Sequence, residues 1–209
     1  MAERVEYNTL SEILEHLVLR RNIRAYRRDE KPSRHIIRLV LEVASRAPFV
    51  SHDDEPPWRF VATDDRGLIK SIAQAINAED SGEPDYLAPD SPDFNPDTYF
   101  KNAPWVVIML SKLPDPERAP QESRDSIAYD MTVSYGAALG ALLSAAHMAG
   151  LAASWSGSFT ASPSRRAAGV ERLLGVKSPW RVHSIVPIGY AAEKGEKVDV
   201  KLEEVIEFR

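Results

Sequence analysis

Arg20, Arg21, Asn22 and Arg24 are the residues most suited to chemistry. Guanidinium forks match phosphate oxygens two at a time, and an asparagine amide adds another donor, so the cluster could hold a phosphate. Taken alone, such a cluster is more often a solvated helix end, where cations complement the helix dipole. Ser51-His52-Asp53-Asp54-Glu55 carries the residue types of a hydrolase triad or a metal site. Consecutive side chains point apart, whereas a triad assembles from separated segments, so a solvated acidic loop is the better reading. His147 lies in an apolar stretch and reads as a hydrogen-bonded core histidine, while His16, His35 and His183 have no evident companions. Trp58, Trp105, Trp155 and Trp180 read mainly as packing, with Trp155 the one to watch. No side chain is assigned as catalytic, and no metal site is assigned.

The chain contains no cysteine, which excludes disulfides, cysteine-bound zinc, iron–sulfur clusters and thiol nucleophiles. Redox chemistry would therefore need a bound cofactor. No Gly-x-Gly-x-x-Gly follows a strand, and no phosphate-loop signature occurs, so a nicotinamide could bind only transiently. A length of 209 residues suits one domain spanning 1–209. The net charge of −5 argues against nucleic acid or an anionic membrane as partner. The N-terminus lacks the pattern of a signal peptide, so a cytoplasmic location is expected. Met131 to Trp155 is long and apolar enough to suggest a membrane span. Its Ser134, Tyr135, Ser144, His147 and Ser154, among many Ala and Gly, instead indicate a helix buried on all sides.

The elements that would position these residues follow from hydrophobic period. Thr9 and Glu12 have capping-box spacing, and Leu10, Ile13, Leu14, Leu17 and Val18 share one helix face that delivers the basic cluster at its end. Ser33 can cap a second helix with the stripe Ile36, Ile37, Val40, Leu41 and Ala44, and Pro48 stops it. Trp58 to Ala62 reads as a strand, followed by a helix carrying Leu68, Ile69, Ile72 and Ile76. A polar surface excursion runs from Glu79 to Asp97, and Val106 to Leu110 suits a central strand. A long helix is expected from about Ser123 to Ala149. Its Gly136, Ala137, Ala138, Gly140, Ala141, Ala145 and Ala146 would let another helix approach closely, as a tight core or a dimer contact. Ser162-Pro163 resembles a helix start, Leu173-Leu174-Gly175 its end, and Val182 to Tyr190 a last strand before a charged tail. Strands interspersed with longer helices indicate a mixed α/β or α+β layer fold.

Several segments, in order, resemble one family. Arg20-Arg21-Asn22-Ile23-Arg24-Ala25-Tyr26 is similar to the N-terminal Arg-Arg-Ser-x-Arg-x-Phe/Tyr motif of FMN-dependent nitroreductases, with Asn in place of Ser. Ala47-Pro48, Pro57-Trp58-Arg59-Phe60, Asn102-Ala103-Pro104, Ala149-Gly150-Leu151, Trp155-Ser156-Gly157-Ser158-Phe159, Leu173-Leu174-Gly175 and Pro187-Ile188-Gly189-Tyr190 continue the series. The resemblance implies a three-layer α+β fold, with a mainly antiparallel sheet flanked by helices, in an intertwined homodimer. It implies FMN at the dimer interface, NADH or NADPH as transient co-substrate, and a nitroaromatic, quinone or similar small-molecule acceptor reduced by a ping-pong mechanism. By the same resemblance, Arg20, Arg21, Asn22 and Arg24 hold the FMN phosphate. Pro48, Phe49 and Val50 line the flavin ring from the other subunit, and Gly157 and Ser158 approach flavin N5. The family's C-terminal basic phosphate ligand has no clean counterpart in this chain, and Lys197 and Lys201 are the candidates for it.

The chain departs from the family where Asp54-Glu55-Pro56 replaces Asn-x-Gln, and where Gly140-Ala141 replaces a Gln-Asn pair in the long helix. Acids beside a flavin would disfavour its anionic reduced form. Two alternatives remain open: a superfamily relative that fragments flavin or removes halogen from an aromatic ring, and a non-catalytic FMN-binding protein.

Overall fold

The computed structural model describes residues 10–50, 55–78, 100, 102–112, 121–156, 165–195 and 200–208. Within them run α1 (Leu10–Val18), α2 (Arg34–Ala44), β1 (Trp58–Thr63), α3 (Arg66–Ala78), β2 (Trp105–Lys112), a 3-10 turn (Gln121–Ser123), α4 (Arg124–Met148), β3 (Ala152–Ala153), α5 (Arg165–Leu174), β4 (Trp180–Gly189) and α6 (Leu202–Val205). The acidic Ser51 to Asp54 segment, the helix start at Ser162-Pro163, and Gly157, Ser158 and Lys197 lie outside the described residues.

The four strands form one antiparallel sheet in the order β1-β2-β4-β3. β2 is apolar on both faces because both are covered. Trp105, Val107 and Met109 enter one core with residues of α2 and α4. Val106, Ile108 and Leu110 enter a second core with residues of α3 and α5. The result is the expected helix–sheet–helix sandwich.

Local chemistry sets the element ends. The Ser33 hydroxyl accepts from Ile36 N at 3.3 Å and starts α2, whose Ile37, Val40 and Ala44 are buried. α4 and α5 each end on a glycine in the left-handed region, Gly150 at φ 72° and Gly175 at φ 65°. There the absence of Cβ lets the chain turn back and satisfy the last carbonyls: Leu151 N donates to Ala146 O and Val176 N to Glu171 O, each at 2.9 Å. Tertiary ties then orient α5, as the Glu171 carboxylate binds Arg181 Nε at 2.7 Å and Val182 N at 2.9 Å.

Three expectations change. The apolar face of α1 is only partly covered: Ile13 and Leu17 are half-buried, whereas Leu10, Leu14 and Val18 are exposed. The long apolar stretch is neither one helix nor buried on all sides. α4 ends at Met148, β3 follows, and Val133, Gly136 and Gly140 stand exposed on α4. The tail after Ala191 is not merely charged, because it contains α6 and the exposed apolar residues Val200, Leu202, Val205, Ile206 and Phe208.

Candidate functional site

The segment following α1 is clipped to the sheet edge at several points. Asn22 bridges Ala153 of β3, and Ile23 N donates to Ala153 O at 3.3 Å. On the other side Tyr26 bridges Ala191, Arg27 N donates to Tyr190 O at 2.9 Å, and Ala192 N donates to Ala25 O at 3.0 Å. The buried Tyr26 hydroxyl lies 2.8 Å from Ile23 O, 3.3 Å from Pro187 O and 3.3 Å from the Ser154 hydroxyl. This one phenol ties the segment to β4 and to the chain leaving β3. Glu193 completes the frame, with Oε1 accepting from Arg24 N at 2.9 Å and Ala25 N at 3.0 Å.

The basic side chains have distinct roles within this frame. Arg21 folds back, and its Nη1 donates to Val18 O and Arg20 O at 2.8 Å each. It thereby satisfies a carbonyl at the C-terminus of α1. Arg20 Nη1 lies 3.3 Å from Asn22 Oδ1. Asn22 and Arg24 are exposed, and the Arg24 guanidinium makes no hydrogen bond or ion pair among the described residues. Arg20, Asn22 and Arg24 are therefore the groups placed to meet an anion from solvent. The tail crosses this motif, since a Cβ on Gly195 would stand 2.4 Å from Arg21 Cβ. Lys197 follows two residues later in the sequence; Lys201 is paired with Glu204 at 2.9 Å.

From the Asn22–Ala153 bridge the chain continues along β4, where Ser156 N donates to Ile185 O at 3.0 Å. The two contacts fall at Ile188 and Ile185 of β4, a separation of roughly 10 Å at the usual strand rise. The basic motif and the approach to Gly157 thus lie on one edge of one subunit. Trp155, within that approach, is 41% exposed and not a core residue.

A sequence profile of the Nitroreductase family, described as such, matches residues 17–190. The chain belongs to the nitroreductase family. It is 27% identical over 183 residues to a Methanothermobacter thermautotrophicus protein named "Putative NADH dehydrogenase/NAD(P)H nitroreductase", a match covering 87% of this chain and 78% of that one. It is 29% identical over 185 residues to the iodotyrosine deiodinase of Haliscomenobacter hydrossis, covering 83% and 77% of the two chains. Among solved structures, an FMN-dependent nitroreductase from Clostridium difficile superposes with a TM-score of 0.66 at 20% identity, covering 93% of this chain and 98% of that one.

Pro48, Phe49 and Val50 of this nitroreductase-family chain lie elsewhere. Val50 N donates to the Ser134 hydroxyl at 2.9 Å, that hydroxyl donates to Asp130 O at 2.7 Å, and the Phe49 ring meets Trp58 edge-on at 5.4 Å. All three residues are exposed. Ser134 is thirteen residues along α4 from His147, which packs beside α1; that is roughly 20 Å of helix. The segment is thus anchored well away from the basic motif of its own chain.

Sequence reasoning missed other polar features. His16 does have a companion: its ring stacks on His147 at 4.3 Å and 8°, joining α1 to α4. His147 is half-buried and donates to His16 O at 2.9 Å, and burial is the main cause that lowers its pKa. His183 has one too. It is the extra residue of a bulge, since Met109 pairs with Ser184 and Leu110 with Val182, and its ring lies 3.7 Å from the buried ring of Tyr135. Burial pushes His183 down to about 4. Burial also raises the Tyr135 hydroxyl, against a smaller opposing effect of Ser184, so both side chains are neutral near pH 7. Partners 131 residues apart leave no local signal. Glu193 was equally hidden, as one acid in a charged tail. Of the suspected acidic loop only Glu55 is described; it is exposed and paired with Lys112 at 3.4 Å. No group of three or more potential metal ligands occurs among the described residues. No helix among them is long and apolar enough to cross a membrane.

Proposed function

We propose that this chain is a homodimeric, FMN-dependent oxidoreductase that passes reducing equivalents from NADH or NADPH to a small aromatic acceptor, such as a nitroaromatic or a quinone, in ping-pong order. The observation that carries this reading is the single edge on which the Arg20 to Arg24 motif, β3 and Ser156 are joined. The donor set fits a phosphate monoester: two guanidiniums and an amide face outward, while the carboxylate of Glu193 beside them is turned to backbone N–H groups. The roughly 10 Å between the two β4 contacts suits the reach of a ribityl chain between phosphate and ring. The similar structures include an NADPH:FMN oxidoreductase from Vibrio harveyi in complex with NAD+, which supports the pairing of flavin with nicotinamide.

When bound, FMN would supply the hydride and electron transfer for which the chain has no side chain of its own. Arg20, Asn22 and Arg24 would hold its phosphate. Arg21 would fix the shape of the motif by capping α1, and Lys197 would add a further cation. Gly157 lacks a β-carbon and would let the backbone come close to a planar ring, with Ser158 beside it. Pro48, Phe49 and Val50 would come from a second copy and close the other face, excluding water. The surface left uncovered in one chain supports that second copy. Tyr129 and Val133 share an exposed face of α4 with Gly136 and Gly140, where an added Cβ would meet nothing within 4 Å.

The test is a visible spectrum of the purified protein, followed by thermal melts with added FMN. Oxidised-flavin bands and a raised melting temperature are expected; a colourless protein indifferent to FMN would sink the proposal. The deiodinase relative favours a second reading, reductive dehalogenation of an aromatic ring. NAD(P)H consumption with a nitroaromatic but not with a halogenated phenol selects the first reading, and the reverse selects the second. FMN binding without NAD(P)H consumption by any acceptor would leave a non-catalytic binding protein.

A further inference from the structure

An acid stands beside the arginines of the basic motif and pairs with none of them. Glu193 Oε1 accepts from Arg24 N at 2.9 Å and from Ala25 N at 3.0 Å. Arg21 is engaged with Val18 O and Arg20 O, and Arg20 with Asn22 Oδ1. No ion pair joins Glu193 to Arg20, Arg21 or Arg24 among the described residues. A carboxylate free to turn would be drawn to the nearest guanidinium and would offset the charge that a phosphate needs. The two backbone donors hold this one off.

Those donors need a partner because neither neighbouring segment supplies one. Ile23 N goes to Ala153 O and Arg27 N to Tyr190 O, but Arg24 N and Ala25 N reach no backbone carbonyl among the described residues. Two successive N–H groups converging on one oxygen make a backbone anion nest. Glu193 fills it from within the chain. Its own backbone is pinned on both sides: Ala191 bridges Tyr26, Ala192 N donates to Ala25 O at 3.0 Å, and a Cβ on Gly195 would stand 2.4 Å from Arg21 Cβ and 3.1 Å from Ile23 Cγ1. The carboxylate is thus placed in advance, and it fixes the point at which the Arg24 side chain leaves the backbone.

We propose that Glu193 is a positioning residue for the phosphate: by filling the nest at Arg24 and Ala25 it sets the base of the Arg24 side chain and leaves the phosphate to side chains already in place. The inference rests on the Arg20 to Arg24 motif being the FMN phosphate site. The reach of the Glu193 oxygen is what serves binding. Its charge opposes binding, because a carboxylate beside a phosphate repels it. Reach and charge therefore act in opposite directions, and substitutions separate them.

FMN dissociation constants of the full chain, read from quenching of flavin fluorescence, test this with three variants. Glu193→Gln keeps an acceptor oxygen at the same reach and drops the charge, so FMN should bind within about twofold of wild type or more tightly. Glu193→Asp keeps the charge and retracts the oxygen by one methylene. It and Glu193→Ala should weaken FMN about three- to tenfold, since Arg24 must then be ordered on binding. Riboflavin lacks the phosphate and should bind wild type and variants alike. Glu193→Asp binding FMN within twofold of wild type would overturn the proposal, as would Glu193→Gln weakened beyond twofold. A fall in riboflavin affinity in step with FMN would also overturn it, by showing a general loss of structure. The backbone bonds at Ile23, Arg27 and Ala192 survive in every variant, and the contrast of Gln with Asp decides the matter even if Glu193→Ala does not fold. Wild type that binds no FMN would remove the site assignment itself, an outcome distinct from wild type that binds FMN with the variants out of this order.

Discussion

Neighbouring arginines in this chain do different work, and substitutions should separate them. The Arg24 guanidinium makes no hydrogen bond or ion pair among the described residues, so Arg24→Ala should leave the melting temperature unchanged while weakening FMN binding. The loss should be roughly ten- to hundredfold, as expected for one charge-assisted hydrogen bond of about 1.5–3 kcal/mol. Arg21→Ala should instead lower the melting temperature, because it uncaps Val18 O at the end of α1. Equal effects of the two changes on stability, measured by thermal melts beside FMN titrations, would refute the division. A second residue-scale expectation concerns His183, whose folded pKa is depressed to about 4 by burial. The unfolded chain binds this proton first, so stability is full above the unfolded value near 6.5 and is lost as pH falls from there towards about 4. His183→Gln removes that titration, so its urea midpoint should fall less steeply than that of wild type across the window. Parallel slopes would count against a neutral, buried His183.

At the scale of elements, the basic motif depends on tight packing against β4. A Cβ on Gly189 would stand 2.6 Å from Pro104 Cδ, 2.8 Å from Pro104 Cγ and 3.0 Å from the Tyr26 ring. The proline ring cannot swing aside as a long side chain would. Gly189→Ala should therefore destabilise the fold by about 1–3 kcal/mol in denaturant unfolding, through overpacking. A neutral result would mean that Pro104 yields easily. Much of this framework is legible in the sequence because its signals are local: Ser33 before a helical stripe, an unbroken apolar β2, and glycines after α4 and α5. β3 is not, since two alanines carry no alternation and their strand state comes from pairing with β4 on one side and with the segment at Asn22 on the other. The site is half legible. Arg20 to Tyr26 announces itself by composition and order, whereas the Glu193 carboxylate under Arg24 N and the stack of His16 on His147 depend on chain folding back over more than a hundred residues.

Over the whole molecule, the deepest ambiguity in the sequence is what covers an apolar helix. α4 is rich in Ala, Gly and Leu on every side, a pattern that fits complete burial within one chain as well as burial shared between two copies. In the structure its own sheet covers only part of it. Leu10, Leu14 and Val18 on α1, Tyr129 and Val133 on α4, and Ile206 and Phe208 in the tail stand exposed, Phe208 at 94%. On the proposed function, these are the apolar groups that a second copy would cover. On the same reading, the separation of Pro48 to Val50 from the basic motif along α4 would give a second copy its role, since one chain alone would leave the flavin ring open on one face. Gly140→Arg tests the two ideas together. Its side chain would project from open helix surface, where nothing lies within 4 Å of the added Cβ, so the fold of one chain should survive, as read by circular dichroism. Light scattering should find monomers where wild type gives dimers, and FMN affinity should drop by at least tenfold, about 1.4 kcal/mol. A monomer that still binds FMN with wild-type affinity would show that one chain completes the site, and would remove Pro48 to Val50 from it.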